Sequence, residues 1–202
     1  MKTIVVTGGS GELGAVVLPR LTREFRCIAA YRSDASRRKL EENDVVAIPD
    51  LAAAAEFAPL YALVHLAGSF QAGNSVERFE RMIEDNLLAA ARAAEAVLPH
   101  LEDGGRIIAI SSAASLTRPA GLAAYSASKA ALNSYVETLA KDLKSRAITV
   151  NALLPTMLDT DVNRKENPSE RLVKRTNVAE MIVLLLSEQA ATVSGQLIGM
   201  SA

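Results

Sequence analysis

The chain reads as an α/β protein: a doubly wound parallel sheet of about seven strands, with helices on both faces, in one domain covering residues 1–202. Three observations predict this. Short apolar, β-branched runs alternate with segments of helical spacing from end to end. Those runs are apolar on successive residues, as in strands buried on both faces. With half of its 202 residues apolar, the chain can bury one substantial core, and no shift in composition marks a second.

In chain order, a first strand at Thr3 to Thr7 runs into a glycine cluster, and Leu13 to Glu24 then carries helical spacing. Arg26 to Tyr31 is the second strand, Ser36 to Glu42 a short helix and Val45 to Ile48 the third strand. Leu51 to Phe57 is helical, and Ala62 to Leu66 is the fourth strand. Val76 to Leu98 reads as one long helix, followed by the strand Arg106 to Ile110. A second long helix, Ala123 to Lys144, precedes the strand Ile148 to Leu154. The polar stretch Asp159 to Thr176, holding Pro168, is expected to be a mobile loop. Val178 to Ser187 and Gln196 to Met200 supply a last helix and strand.

The net charge of −1 comes from 22 basic and 23 acidic residues that are interspersed, so no nucleic-acid partner is expected. No apolar run has the length of a membrane span, and no signal-peptide layout precedes the first strand. The single cysteine, Cys27, lies in an apolar strand and reads as a small buried hydrophobe in a reducing cytoplasm. The two long helices are rich in alanine, which suits either a subunit interface or plain packing on the sheet.

The segment Thr7-Gly8-Gly9-Ser10-Gly11-Glu12-Leu13-Gly14 joins the first strand to the first helix. A glycine turn there lets backbone amides approach a pyrophosphate, and the helix dipole favours its charge; this is a Rossmann-type dinucleotide site. Gly8, Ser10, Gly11, Leu13 and Gly14 are its candidate contacts. The second strand ends in Tyr31-Arg32, where an acidic residue would hold ribose hydroxyls and a basic one a 2'-phosphate. Arg32 therefore favours NADP(H) over NAD(H), although a surface arginine is the plainer explanation. No metal site is expected.

Tyr125 and Lys129 stand four apart at the start of a long helix, on one face. A phenol titrates near 10, too high for easy proton exchange at neutral pH, and a close ammonium would lower it. Ser111 and Ser112 follow the strand Arg106 to Ile110 at the end where such sheets keep their sites. A hydroxyl there can hold a carbonyl oxygen as charge develops on it; Ser111 is better read as turn chemistry.

With these residues in order, the chain resembles the short-chain dehydrogenase/reductase family over nearly its whole length. Ser112 lies thirteen residues before Tyr125, and Asn86 in Asp85-Asn86-Leu87-Leu88 matches the family's helix asparagine. The resemblance implies a catalytic set of Asn86, Ser112, Tyr125 and Lys129, with Asn86 serving a proton relay and Lys129 also bonding the nicotinamide ribose. His65-Leu66-Ala67-Gly68 is similar to the motif beside the adenosine, through Ala67 and Gly68, and Asp50-Leu51 to the adenine contact. Pro155 to Thr160, with Pro155, Leu158 and Thr160 as contacts, is similar to the loop beside the nicotinamide.

Some positions depart from the pattern. The glycine spacing resembles that of the extended branch with nucleotide-sugar epimerases, His65 replaces a common Asn, and Thr156 a common Gly. The loop spacing and the run Leu158-Asp159-Thr160-Asp161-Val162-Asn163-Arg164-Lys165 are more closely similar to dihydropteridine reductases. Ser112, which those lack, favours an ordinary ketone or aldehyde, or an alcohol in reverse.

The resemblance implies NAD(P)H-dependent reduction of a small carbonyl substrate, and the alanine-rich helices lead to the expectation of a homodimer or homotetramer through them. Dihydropteridine reductase-like activity and a non-catalytic NADP(H)-sensing regulator are the alternatives. The substrate pocket is expected from residues 69–75, 113–122 and 159–176.

Overall fold

The computed structural model describes residues 1–202. Seven strands form a single parallel sheet: β1 (Thr3–Thr7), β2 (Arg26–Ala30), β3 (Val46–Ile48), β4 (Leu60–His65), β5 (Leu101–Ile110), β6 (Thr149–Pro155) and β7 (Leu197–Met200), in the order β3-β2-β1-β4-β5-β6-β7. Successive residues of β1 enter opposite cores. Ile4 and Val6 of β1 pack with Val17, Leu18 and Leu21 of α1 (Gly14–Leu21) and with Val178 and Ile182 of α8 (Arg175–Leu186). Val5 packs on the other side with Ala90, Ala93 and Ala94 of α4 (Ala89–Val97) and Leu132 and Val136 of α6 (Ala123–Asp142). This two-sided burial is why the strands read as continuous apolar runs.

The strand order reverses between β1 and β4, whose ends are in register at Thr7 and His65. A crevice opens beyond the carboxyl ends at such a switch point, and the segments leaving β1, β4, β5 and β6 all face it.

Several expected boundaries move, each for a local reason. The helix expected from Ser36 begins two residues earlier as α2 (Asp34–Glu41), because Ser33 and Ser36 form a reciprocal capping box that satisfies its first amides. The segment expected as a helix over 51–57 is a 3-10 turn at Ala52–Phe57, started by the Asp50 carboxylate accepting from the Ala53 amide at 3.1 Å. The single helix expected over 76–98 is α3 (Val76–Ile83) and α4 joined by a π turn at Glu84–Leu88. The stretch 159–176, expected as a loop, holds α7 (Asp161–Glu166), capped by the Thr160 hydroxyl, and Leu158 and Val173 form a parallel bridge beside it. No helix is long and apolar enough to cross a membrane.

Candidate active site

The glycine turn is built so that backbone meets backbone. Gly8 has φ +70, and a Cβ there would lie 2.6 Å from the Ala67 amide nitrogen; one on Gly14 would lie 2.1 Å from the Gly9 carbonyl oxygen. Neither site admits a side chain. The Gly11 amide donates to the Gly8 carbonyl at 3.1 Å, which closes the turn. No side chain caps α1, and its first turn holds no acidic residue. A glycine turn leading into an uncapped helix N-terminus fits a pyrophosphate, and Gly8, Ser10, Gly11, Leu13 and Gly14 all lie on that turn or at the helix start.

At the tip of β2, the Arg32 amide donates to the Ser36 hydroxyl, and its side chain is exposed. Arg37, which the sequence reading passed over, reaches over the Tyr31 ring at 5.9 Å while paired with Glu41 at 2.8 Å. Asp50 is exposed and Leu51 half-buried. Ala67 lies against Gly8, and a Cβ on Gly68 would come within 2.8 Å of Asn86 Oδ1 and 3.3 Å of Lys129 Nζ. The short 66–68 segment thus links the glycine turn to the helices beneath β4.

Those helices carry the remaining groups. Asn86 sits in the π turn, fully buried, where the extra residue turns its side chain towards β4. Its Oδ1 accepts from the Ser69 amide (3.0 Å), and its Nδ2 donates to the Ser69 carbonyl and the Ser128 hydroxyl, both at 3.1 Å. The amide is fully engaged as a clamp on the chain leaving β4.

Lys129 is buried, and its Nζ donates to the Ile110 carbonyl at 2.9 Å. Burial brings its ammonium down to about 8. Tyr125, half-buried on the same helix, has its phenol pushed up by burial, with the Ser112 hydroxyl pulling the other way. This corrects the expectation that Lys129 lowers the phenol: the ammonium is bonded to the end of β5, and no hydrogen bond joins it to Tyr125.

Ser112 Oγ accepts from the Ala114 amide at 3.2 Å, at the start of the one-turn helix α5 (Ala114–Thr117). Ser111 is not turn chemistry. Its hydroxyl donates to Asn133 Oδ1 at 2.6 Å, Asn133 Nδ2 donates to Ser115 Oγ at 2.8 Å, and Ser115 Oγ donates to the Ser112 carbonyl at 2.6 Å. This buried chain ties the Ser112 backbone to α6, and no motif in the sequence signals it.

His65 lies between the two halves. Its Nδ1 is 2.8 Å from the Thr7 hydroxyl and its Nε2 has no partner. Burial, aided by the Lys129 charge, takes it down to about 4, so the imidazole is neutral. Pro155 ends β6 and accepts from the Ala113 amide at 3.0 Å. Leu158 and Thr160 follow it at the bridge and the α7 cap. Phe70, which the sequence reading did not single out, packs edge-on against Tyr125 with ring centroids 4.9 Å apart and planes at 82°. No group of three or more His, Cys, Asp or Glu is placed to hold a metal ion.

Residues 2–171 match the family described as short chain dehydrogenase. The chain is 30% identical to the cyclic-di-GMP-binding biofilm dispersal mediator protein of Escherichia coli K12, over 96% of this chain and 93% of that protein. It is 26% identical to the 3-oxoacyl-[acyl-carrier-protein] reductase MabA of Mycobacterium tuberculosis H37Rv, over 98% and 90%. Among solved structures it is similar to a blue fluorescent protein from a metagenomic library in complex with NADPH. That pair has 29% identity and a TM-score of 0.88, covering 99% of this chain and 96% of the other.

Proposed function

The chain belongs to the short-chain dehydrogenase family and is a NAD(P)-dependent oxidoreductase; on that premise we propose that it reduces a small carbonyl compound, with Tyr125 as the proton donor. The observation that carries this is the grouping of Ser112, Tyr125 and Lys129 at the carboxyl edge of the sheet, next to a glycine turn that a side chain would block. When bound, the nicotinamide supplies the hydride. Ser112 Oγ donates to the substrate oxygen as charge develops on it. Tyr125 Oη then gives that oxygen its proton, leaving an alcohol. Only one of the three N–H donors of Lys129 is held by Ile110, so the others are free for the nicotinamide ribose and, through it, for stabilising the phenolate. Asn86 serves by clamping Ser69, which keeps Gly68 against Lys129.

Gly8, Ser10, Gly11, Leu13 and Gly14 would hold the pyrophosphate; Asp50, Leu51, Ala67 and Gly68 the adenosine; and Pro155, Leu158 and Thr160 the nicotinamide. We read the preference as NADP(H): Arg32 is exposed at the tip of β2, and the metagenomic relative binds NADPH. Titrating NADPH and NADH while following nicotinamide fluorescence tests this. NADPH is expected to bind at least tenfold more tightly, and equal affinities would refute the preference.

Replacing Tyr125 by Phe is expected to cut turnover by about 10²–10⁴-fold, with the NADPH dissociation constant nearly unchanged. Undiminished turnover would overturn the assignment. The name of the E. coli relative, a cyclic-di-GMP-binding biofilm dispersal mediator, favours a second reading: a regulator that binds NADP(H) without turnover. It predicts saturable NADPH binding with no oxidation across a carbonyl panel. A quinonoid dihydropterin in the same panel tests the dihydropteridine reductase-like alternative. The proposal includes a homodimer or homotetramer through α4 and α6, where Leu88 just before α4 and Ala127 and Ala130 of α6 are exposed; light scattering of the purified protein reads the mass.

A further inference from the structure

The three segments that leave β4, β5 and β6 each hold a large apolar side chain out to solvent: Phe70 is 60% exposed, Leu116 53% and Val162 55%. β4, β5 and β6 are adjacent in the sheet, so the three segments rise from one edge, the edge that carries Ser112 and Tyr125. An exposed phenylalanine alone would carry no meaning. Phe70 differs because its ring stands against the proton-donating ring itself, edge to face at 4.9 Å.

The segment that bears Phe70 is also held in place. The Gly73 amide donates to the Gly121 carbonyl at 2.9 Å, the Asn74 side chain accepts from the Ala123 amide at 3.1 Å, and Arg78 is bonded to Gln71. The first two bonds join residues 69–75 to the approach to α6, so Phe70 and Tyr125 are carried on one connected piece of chain. Three arginines of these segments and of the adjoining α8 have protein partners. Arg118 donates to the Leu116 carbonyl at 2.9 Å, Arg164 is forked onto Asp159 at 2.5 and 2.7 Å, and Arg175 donates to the Glu12 carbonyl at 3.0 Å. An apolar rim flanked by arginines whose donors already have protein partners is suited to a substrate without charge.

We infer that this site takes carbonyl compounds carried on an apolar, aromatic group, and that Phe70 is the residue that selects them by stacking against the substrate beside Tyr125. The inference rests on the carbonyl-reductase reading above. Leu116 and Val162 extend the same wall towards solvent.

The test compares NADPH oxidation with acetophenone, butanone and oxobutanoate for the full chain and for its Phe70→Ala and Phe70→Leu variants. The wild type is expected to favour acetophenone over butanone in kcat/KM, and both over the carboxylate. The acetophenone-to-butanone ratio should fall by about tenfold in Phe70→Ala, the worth of one aromatic contact, and by less in Phe70→Leu, which keeps the apolar bulk. Because it is a ratio, any loss of folded enzyme cancels. An unchanged ratio, or a wild-type preference for oxobutanoate, would overturn the inference while leaving carbonyl reduction standing. NADPH binding with no oxidation by any ketone would overturn the reductase reading and this inference with it.

Discussion

Lys129 gives the sharpest prediction, because its cost to the fold can be worked from its position. Burial takes its ammonium from the ordinary 10.5 to about 8. Holding that charge inside therefore costs on the order of 3 kcal/mol at neutral pH, relieved only by the single bond to the Ile110 carbonyl. Replacing Lys129 by Met removes the cost but leaves the carbonyl without its donor, a loss of about 1 kcal/mol. The variant should be more stable than the wild type by about 2 kcal/mol at pH 7, or about 5 °C in melting temperature for a chain of this size, while losing its reductase activity.

The gain must also depend on pH in a set direction. Below about 8 the lysine is protonated whether the chain is folded or not, so the difference between the two proteins is constant. Between about 8 and 10.5 the unfolded chain binds a proton that the folded chain does not, so wild-type stability rises relative to the variant and the gap closes. Urea unfolding of both proteins from pH 7 to 10 reads this directly, since all other titrating groups cancel in the difference. A variant less stable than the wild type at pH 7, or a gap that stays the same to pH 10, would refute the account of Lys129 as a buried, weakly compensated charge.

Two further outcomes follow from the same geometry. His65 is held neutral at about 4 instead of its usual 6.5, so its contribution to stability is complete above 6.5 and is lost as the pH falls towards 4. His65→Asn should flatten the acid limb of the wild-type stability curve over that window by about 3 kcal/mol, and parallel acid limbs for the two proteins would count against it. Gly14→Ala sets a Cβ 2.1 Å from the Gly9 carbonyl oxygen, a backbone atom no rotamer can move. It should cost about 1–3 kcal/mol in stability and weaken NADPH binding by more than tenfold; an unaltered melt and titration would contradict the close-packed turn.

Stability and chemistry pull against each other in this site. Two polar groups that would serve catalysis are kept where burial is costly, an ammonium with one protein partner and a phenol raised by burial, and between them and the glycine turn lies a neutral imidazole with an unbonded nitrogen. The π turn at Asn86 belongs to the same pattern, since it gives up regular helical bonding to aim one amide at the chain leaving β4.

Much of this was legible from residue order. The seven strands, the glycine turn and the succession of Asn86, Ser112, Tyr125 and Lys129 depend on local period and on spacing within one helix or turn, which a linear chain displays directly. Even the missed start of α2 was present in local form, as the Ser33 and Ser36 pair. What the tertiary structure alone decided is where those side chains spend their bonds. Lys129 finds the Ile110 carbonyl 19 residues back, His65 finds Thr7 across 58 residues, and Ser111 reaches Asn133 across 22. None of these pairings has a periodic signature, because each is created by tertiary packing: β1 beside β4 for Thr7 and His65, and α6 against the end of β5 for the other two. The sequence therefore names the chemical groups, and the sheet decides which are charged, which are neutral and which aromatic ring stands over the reacting one.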